Sequence, residues 1–228
     1  VSLVRGRFAA MTDIDGITLD PDRSARTGVP EIVYAPGKTA VQVGAAMSGL
    51  LAAGVAPVIA ARCSQEQVAR LMEVLPDVDI DGTTAVARSL PANGLRVAVV
   101  TAGTADQVVA AEASATLRAF GFEVERVNDV GVAGVHRLLA RVEELRRVDA
   151  LVVIAGMEGA LPTAVAGLVD TPLVAVPTSA GYGSSFEGFT ALAAMTASCA
   201  PGVSVVGIDN GIGAACVIVR WLRVLARA

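Results

Sequence analysis

Between residues 93 and 228 the apolar positions gather into five short runs, over 97–101, 122–127, 150–155, 172–176 and 203–207. Each is rich in β-branched residues and bounded by turn residues, which predicts a strand. Longer stretches of small residues separate them and predict helices over 105–120, 134–146, 162–168, 185–199 and 212–226. Strands that alternate with helices in this way build a parallel sheet with helices on both faces. The expected fold class is α/β, a three-layer doubly wound parallel sheet. Ligands of such sheets bind beyond the carboxyl ends of the strands, so the loops that follow the five runs are where chemistry is expected.

Before residue 93 the pattern predicts a smaller α/β domain. A strand over 31–34 follows the turn Gly28-Val29-Pro30, and Thr39 caps a helix running to about Ala53 and closed by Gly54. A buried-type strand over 58–61 comes next. Ser64 then caps a helix to Leu75, with Glu66 and Gln67 near its start, and a third strand is expected over 84–88. The order suggests a βαβαβ-like unit. Residues 1–20 show no period and read as an exposed arm. Pro91-Ala92-Asn93-Gly94 marks the junction, giving domains 1–92 and 93–228.

Composition narrows the function classes. The 228 residues suit one standard domain plus a smaller one, and 54% of them are hydrophobic. No apolar run approaches the roughly 18 residues that argue for a membrane-spanning helix. A net charge of -4 with no basic block argues against a nucleic-acid partner. Cys63, Cys199 and Cys216 are too widely spaced for a disulfide framework and point to a reducing cytoplasm. With one His, His136, and one Lys, Lys38, no His-rich or Cys-rich metal site is expected. No secretory leader is evident at the start, and a chain opening on Val1 rather than Met is expected to be trimmed or incomplete there.

The strand-end loops carry the candidate chemistry. Thr101-Ala102-Gly103-Thr104-Ala105-Asp106 opens a helix after a strand, where free backbone N–H groups bind phosphate and Gly103 permits close approach. A plain turn capped by Thr104 fits these residues equally well. In Gly156-Met157-Glu158-Gly159-Ala160-Leu161-Pro162 a carboxylate stands between two glycines at a strand end, a place for a buried general base; helix capping ahead of Pro162 is the plainer alternative. The loop from Pro177 to Ser185 presents Ser179, Gly181, Tyr182, Gly183 and Ser184 before a helix, which suits phosphate or ribose, or simply a flexible loop. Cys199 closes the helix expected over 185–199. Most free cysteines are core residues and a helix C-terminus raises a thiol pKa, so the local pattern argues against a nucleophile there. His136 with Arg137, and Lys38 in the turn Gly37-Lys38-Thr39, could hold phosphate or carboxylate, although the upstream glycine spacing of a P-loop is missing. Asp209-Asn210-Gly211 follows the last strand.

Those runs, together with Gly131-Val132-Ala133-Gly134-Val135-His136-Arg137 and Ile208 to Gly211, resemble the LarB family of pyridinium-3,5-biscarboxylic acid mononucleotide synthases, which serve nickel-pincer nucleotide cofactor synthesis. The resemblance extends to Leu19-Asp20, Arg23, Arg26 and the segment from Gly28 to Lys38. The family's C-terminal domain is similar to the PurE (AIR carboxylase) fold. The resemblance implies carboxylation of nicotinic acid adenine dinucleotide at C5 of its pyridinium ring, with CO2 or bicarbonate as co-substrate, followed by phosphoanhydride cleavage that releases AMP. Pyridinium and CO2 are both electrophiles, so a thiolate must first add to the ring and make C5 nucleophilic. The resemblance gives that role to Cys199 and the base or CO2-orienting role to Glu158, against the local reading of Cys199. It implies nucleotide contacts by Thr101, Gly103, Thr104, Asp106, His136, Arg137, Gly156, Met157, Gly159 and the Ser179–Ser185 loop, with Lys38, Asp209 and Asn210 as further candidates. Ala105 stands where many relatives carry Ser, which removes one hydroxyl. Anhydride cleavage is open between Asp209 and a bound Mg2+. A cytoplasmic, symmetric homo-oligomer is implied, with an octamer the expectation. Two alternatives stay open: an aminoimidazole ribonucleotide carboxylase or mutase, which would use a His in the loop matching Gly156 to Pro162, and a non-catalytic nucleotide-binding protein.

Overall fold

The computed structural model describes residues 12–14 and 16–225, and the chain divides into two units, Val1–Leu90 and Pro91–Ala228. In the first unit β1 (Thr12–Ile14) and β2 (Ile17–Leu19) pair as an antiparallel hairpin, followed by α1 (Arg23–Thr27). The expected exposed arm is therefore corrected in its second half, because Leu19 is buried in this unit's core; residues 1–11 and 15 lie outside the described residues. Strands of three residues are too short to show a period. Asp20 accepts hydrogen bonds from Arg23 (3.1 Å) and Arg26 (3.0 Å), and the Arg26 guanidinium holds its carboxyl below the usual range.

The unit continues with β3 (Ile32–Tyr34), α2 (Ala40–Ala52), β4 (Val58–Ala61), α3 (Gln65–Val74), β5 (Asp79–Asp81) and β6 (Thr84–Ala87). Thr39 and Ser64 cap their helices as expected, each accepting from the backbone N–H three residues on. The sheet order is β3-β4-β6-β5. β4 is parallel to β3, but β6 is antiparallel to β4. This corrects the βαβαβ expectation. The tight turn Gly82-Thr83 makes β5 and β6 a hairpin, so β6 enters the sheet in reverse. Asp79-Ile80-Asp81, flanked by acids, gave no strand signal.

In the second unit the order is β7 (Arg96–Thr101), α4 (Gln107–Ala119), β8 (Glu123–Val127), α5 (Val135–Leu139), α6 (Val142–Leu145), β9 (Ala150–Ala155), α7 (Leu161–Ala166), β10 (Leu173–Pro177), α8 (Phe189–Thr196), β11 (Val203–Val205) and α9 (Gly211–Leu225). All five strands are parallel, in the order β8-β7-β9-β10-β11. Ala98, Val100, Leu151, Val153 and Ala175 face a core completed by Leu138, Leu145, Leu161 and Met195 from α5 to α8. The alternate residues, Val97, Val99, Val152 and Ile154, are equally buried and face the other layer, where α4 and α9 pack together. The expected three-layer α/β sheet is what the unit adopts. The buried Glu112 of α4 accepts from the Ile212 N–H (3.2 Å), satisfying a free donor in the first turn of α9. Among the described residues no helix is long and apolar enough to cross a membrane.

Two expected helices are cut short. The one over 134–146 divides into α5 and α6. The one over 185–199 begins as a tight 3-10 turn, Gly183–Gly188, and α8 stops at Thr196, so Cys199 lies beyond the helix rather than at its end. After β7 the chain moves to β8 on one side, then crosses back so that β9 lies on the other side of β7. Loops leaving β7 and β9 diverge at this switch point and leave a crevice between them.

Candidate active site

A cavity of about 340 Å³ occupies that crevice. Its walls are the loop after β7 (residues 102–106), the loop after β8 (131–133), the loop after β9 (155–158, 160 and 161), and residues 180 and 181 beyond β10.

Asp106 anchors the first wall. It is buried; its Oδ2 accepts from the Gly103 N–H (2.9 Å) and its Oδ1 accepts from the Thr178 hydroxyl (2.7 Å). The turn is thus closed by Asp106 rather than capped by Thr104. Thr101 lies beneath the floor, fully buried, its hydroxyl accepting from Gln107 and from the Asp129 N–H, both at 3.2 Å. It braces two loops and does not line the cavity.

The β9 loop is tied to the β10 loop. The Met157 N–H donates to Ala180 O (2.9 Å). A Cβ on Gly156 would lie 2.1 Å from that same oxygen and 2.7 Å from the Thr178 hydroxyl, so only glycine lets the two loops close. Gly159, at φ +66°, packs against the backbone of Ala191 in α8. Met157 adopts the left-handed region at φ 50°, and its side chain and that of Glu158 meet the cavity from exposed positions. Glu158 is exposed rather than buried as expected, because no element covers the strand end in the chain taken singly. It makes no helix cap, since Ala160 precedes α7 with no side-chain cap.

The β10 loop carries marked backbone strain. Phe186 (φ 42°, ψ 56°) and Glu187 (φ 51°, ψ 37°) are both left-handed, a cost of about 1–3 kcal/mol each for such residues. Gly181 lines the cavity, and the buried Ser185 presses against it. Tyr182, Gly183 and Ser184 are exposed and do not line the cavity. The Ser179 N–H donates to Asp209 Oδ1 (2.9 Å), and Asn210 Oδ1 accepts from the Gly213 N–H (2.7 Å) at the start of α9. These two residues pin the loop and cap the helix.

The remaining candidates lie outside the cavity. Arg137 pairs with Asp129 behind the β8 loop, and His136 is exposed. Lys38 belongs to the first unit, where its ammonium donates to Tyr34 O (2.7 Å). The Thr163 and Ser198 hydroxyls are 2.8 Å apart, which places the segment holding Cys199 against α7. Cys199 follows Ser198 in the chain and is not among the residues that line the cavity. Gly131, Val132 and Ala133 entered the sequence analysis only as part of the family resemblance and Thr178 was not a candidate there; the Thr178–Asp106 bond spans two distant segments.

Among the described residues lining the cavity none is cationic, and Asp106 and Glu158 are its two charged groups. The wall is otherwise apolar or backbone. Of the cysteines, burial pushes the Cys63 and Cys216 thiols up to about 11, while Cys199 is exposed. A thiol reagent at pH 7.5 is expected to modify one cysteine rapidly, with peptide mapping placing the label on Cys199; rapid labelling of Cys63 or Cys216 would contradict this arrangement.

Comparison with known proteins agrees with this division of the chain. Residues 11–90 match the LarB/PurE-like N-terminal domain and residues 96–227 match AIR carboxylase. The chain is 38% identical over 212 residues to the uncharacterized protein MJ0165 of Methanocaldococcus jannaschii, spanning 87% of this chain and 80% of that one. It is 35% identical over 124 residues to the N5-carboxyaminoimidazole ribonucleotide mutase of the same organism, spanning 52% of this chain and 73% of that one. Among solved structures, Treponema denticola PurE is similar with a TM-score of 0.48 at 21% identity, over 57% of this chain and 80% of that chain.

Proposed function

The chain belongs to the LarB family, with a carboxylase-type second unit of the AIR carboxylase fold, and from that premise we propose that it carboxylates nicotinic acid adenine dinucleotide at the pyridinium C5 and cleaves its phosphoanhydride to release AMP. The observation that carries this reading is the character of the cavity: apolar walls, two carboxylates and no lining cation among the described residues. A pyridinium ring is flat and positively charged, so it gains from both features, whereas a phosphate-first ligand would gain from neither.

In the proposed reaction the Cys199 thiolate adds to the ring at a carbon that leaves C5=C6 conjugated with the ring nitrogen. The ring becomes neutral and C5 becomes nucleophilic. C5 attacks CO2, forming the new C–C bond. Glu158 then takes the C5 proton, the C–S bond breaks, and the thiolate leaves as the ring regains its positive charge. Because Cys199 does not line the cavity of its own chain, the proposal includes a symmetric homo-oligomer, an octamer by family resemblance, in which a second copy brings Cys199 to Glu158. No group is assigned to anhydride cleavage. Asp209 is engaged by the Ser179 N–H, and no step is assigned to Mg2+.

The similarity to N5-carboxyaminoimidazole ribonucleotide mutase favours a second reading, a mutase of that type. Against it, His136 is exposed on α5 and outside the cavity. Assaying both substrates side by side separates the two. The proposed function predicts bicarbonate-dependent AMP release from the dinucleotide and no turnover of the ribonucleotide; the opposite pattern would install the mutase, and dinucleotide binding without turnover would leave a non-catalytic binder.

A further inference from the structure

We propose that Tyr182, Phe186 and Phe189 form a stacking platform for the purine base of the dinucleotide, outside the cavity that takes the pyridinium half. This rests on the proposed function and adds a second ligand subsite to it. Three observations lead there. The first is size. Small-molecule pockets run from roughly 300 to 1,000 Å³, and at about 340 Å³ this one is at the small end of that range. A dinucleotide is a large ligand, so the proposal sets its second nucleoside outside the cavity.

The second is exposed aromatic surface. Tyr182 is 82% exposed, Phe186 67% and Phe189 66%, in a chain with only 4% aromatic residues. Tyr182 directly follows Gly181, which lines the cavity, and Phe186 directly follows Ser185, which presses on Gly181. The Met157 sulfur approaches the same glycine from the cavity wall. Tyr182 and Phe186 are thus chain neighbours of residues at the cavity wall, and Phe189 opens the helix that leaves the same turn. Aromatic rings and purines stack through their π-faces.

The third is backbone strain. Phe186 and Glu187 occupy the left-handed region consecutively, and the turn ends at Gly188, whose close approach to Thr178 O admits no side chain. A loop relieved of this strain would be free to turn Phe186 inward. Instead it presents a phenyl ring to solvent beside a ligand cavity, and strain of this kind gathers at ligand clamps. The surroundings are not phosphate-seeking, since Glu187 is the charged residue of the turn, so the platform is assigned to the base and not to the pyrophosphate.

The platform is tested by calorimetric titration of AMP and of nicotinic acid mononucleotide into the full-length protein and its Tyr182→Ala, Phe186→Ala and Phe186→Tyr variants. Removing a ring is expected to weaken AMP binding by about tenfold and to leave the mononucleotide unchanged, while Phe186→Tyr keeps AMP affinity. Unchanged AMP affinity in both alanine variants would overturn the platform. So would equal losses for both ligands, a wild type that does not bind AMP, or an altered oligomeric state in place of an AMP effect, which would make the rings a contact between copies. The outcome is separable from the reaction itself. A wild type that binds AMP through these rings but does not carboxylate the dinucleotide keeps the platform and ends the reaction proposal; turnover with AMP binding indifferent to the rings does the reverse.

Discussion

Cys199→Ala is expected to lower carboxylation of nicotinic acid adenine dinucleotide by ~10³-fold or more, with the fold and nucleotide binding intact. The magnitude follows from chemistry. Without a nucleophile on the ring, the pyridinium C5 has no electron density to offer CO2, and no neighbouring group supplies it. Cys63 and Cys216 are no substitutes, since burial pushes both thiols up to about 11 and keeps them protonated. Stability should change little, because Cys199 is exposed in a turn and makes no core contact. The same variant also tests the assembly. If Glu158 and Cys199 meet only across two copies, a co-expressed mixture of Cys199→Ala and Glu158→Gln chains contains some sites with both native residues. Such a mixture should recover activity that neither variant shows alone. An inactive mixture, with mixed oligomers shown by mass, would place both residues in one chain's site.

The second large effect is structural in origin. Gly156→Ala places a methyl group 2.1 Å from Ala180 O and 2.7 Å from the Thr178 hydroxyl. The first contact is backbone and cannot rotate away. The β9 and β10 loops must separate, which strains the Met157 N–H bond to Ala180 and the Thr178 bond to Asp106. Overpacking of this kind costs about 1–3 kcal/mol, and displacing the cavity wall by about 1 Å is enough for a ~10²-fold loss of turnover. Gly167→Ala is the control, because its Cβ meets nothing closer than 3.6 Å. Thermal melts and turnover should separate the two variants; a Gly156→Ala protein as stable and active as wild type would contradict the loop packing.

These expectations show where sequence reading succeeds and where it stops. β7, β9 and β10 were legible because strands covered on both faces are continuous apolar runs, and the glycine-rich loops were legible because each follows such a run. The hairpin of β5 and β6 was not, since its pairing depends on a two-residue turn and on neighbours far along the chain. Glu158 could be placed at a strand's carboxyl end from local pattern alone. Its exposure could not, because burial depends on what covers the loop. Cys199 is the sharper case. Local rules marked it as an inert helix-end thiol, yet α8 ends at Thr196 and leaves it exposed in a turn. Family resemblance raised its standing before any geometry did, and Cys199 is not among the residues lining the cavity that Glu158 meets. Thr178 and Phe186 escaped notice because their roles rest on contacts and backbone angles that no residue type announces.

The most direct test of the central claim is mass spectrometry of a reaction containing the protein, nicotinic acid adenine dinucleotide and ¹³C-bicarbonate. The proposed function predicts AMP and a pyridinium dicarboxylic mononucleotide in equal amounts, with one ¹³C in the new carboxylate and no product from Cys199→Ala. Recovery of the dinucleotide unchanged, or AMP release without ¹³C in the nucleotide product, would contradict it.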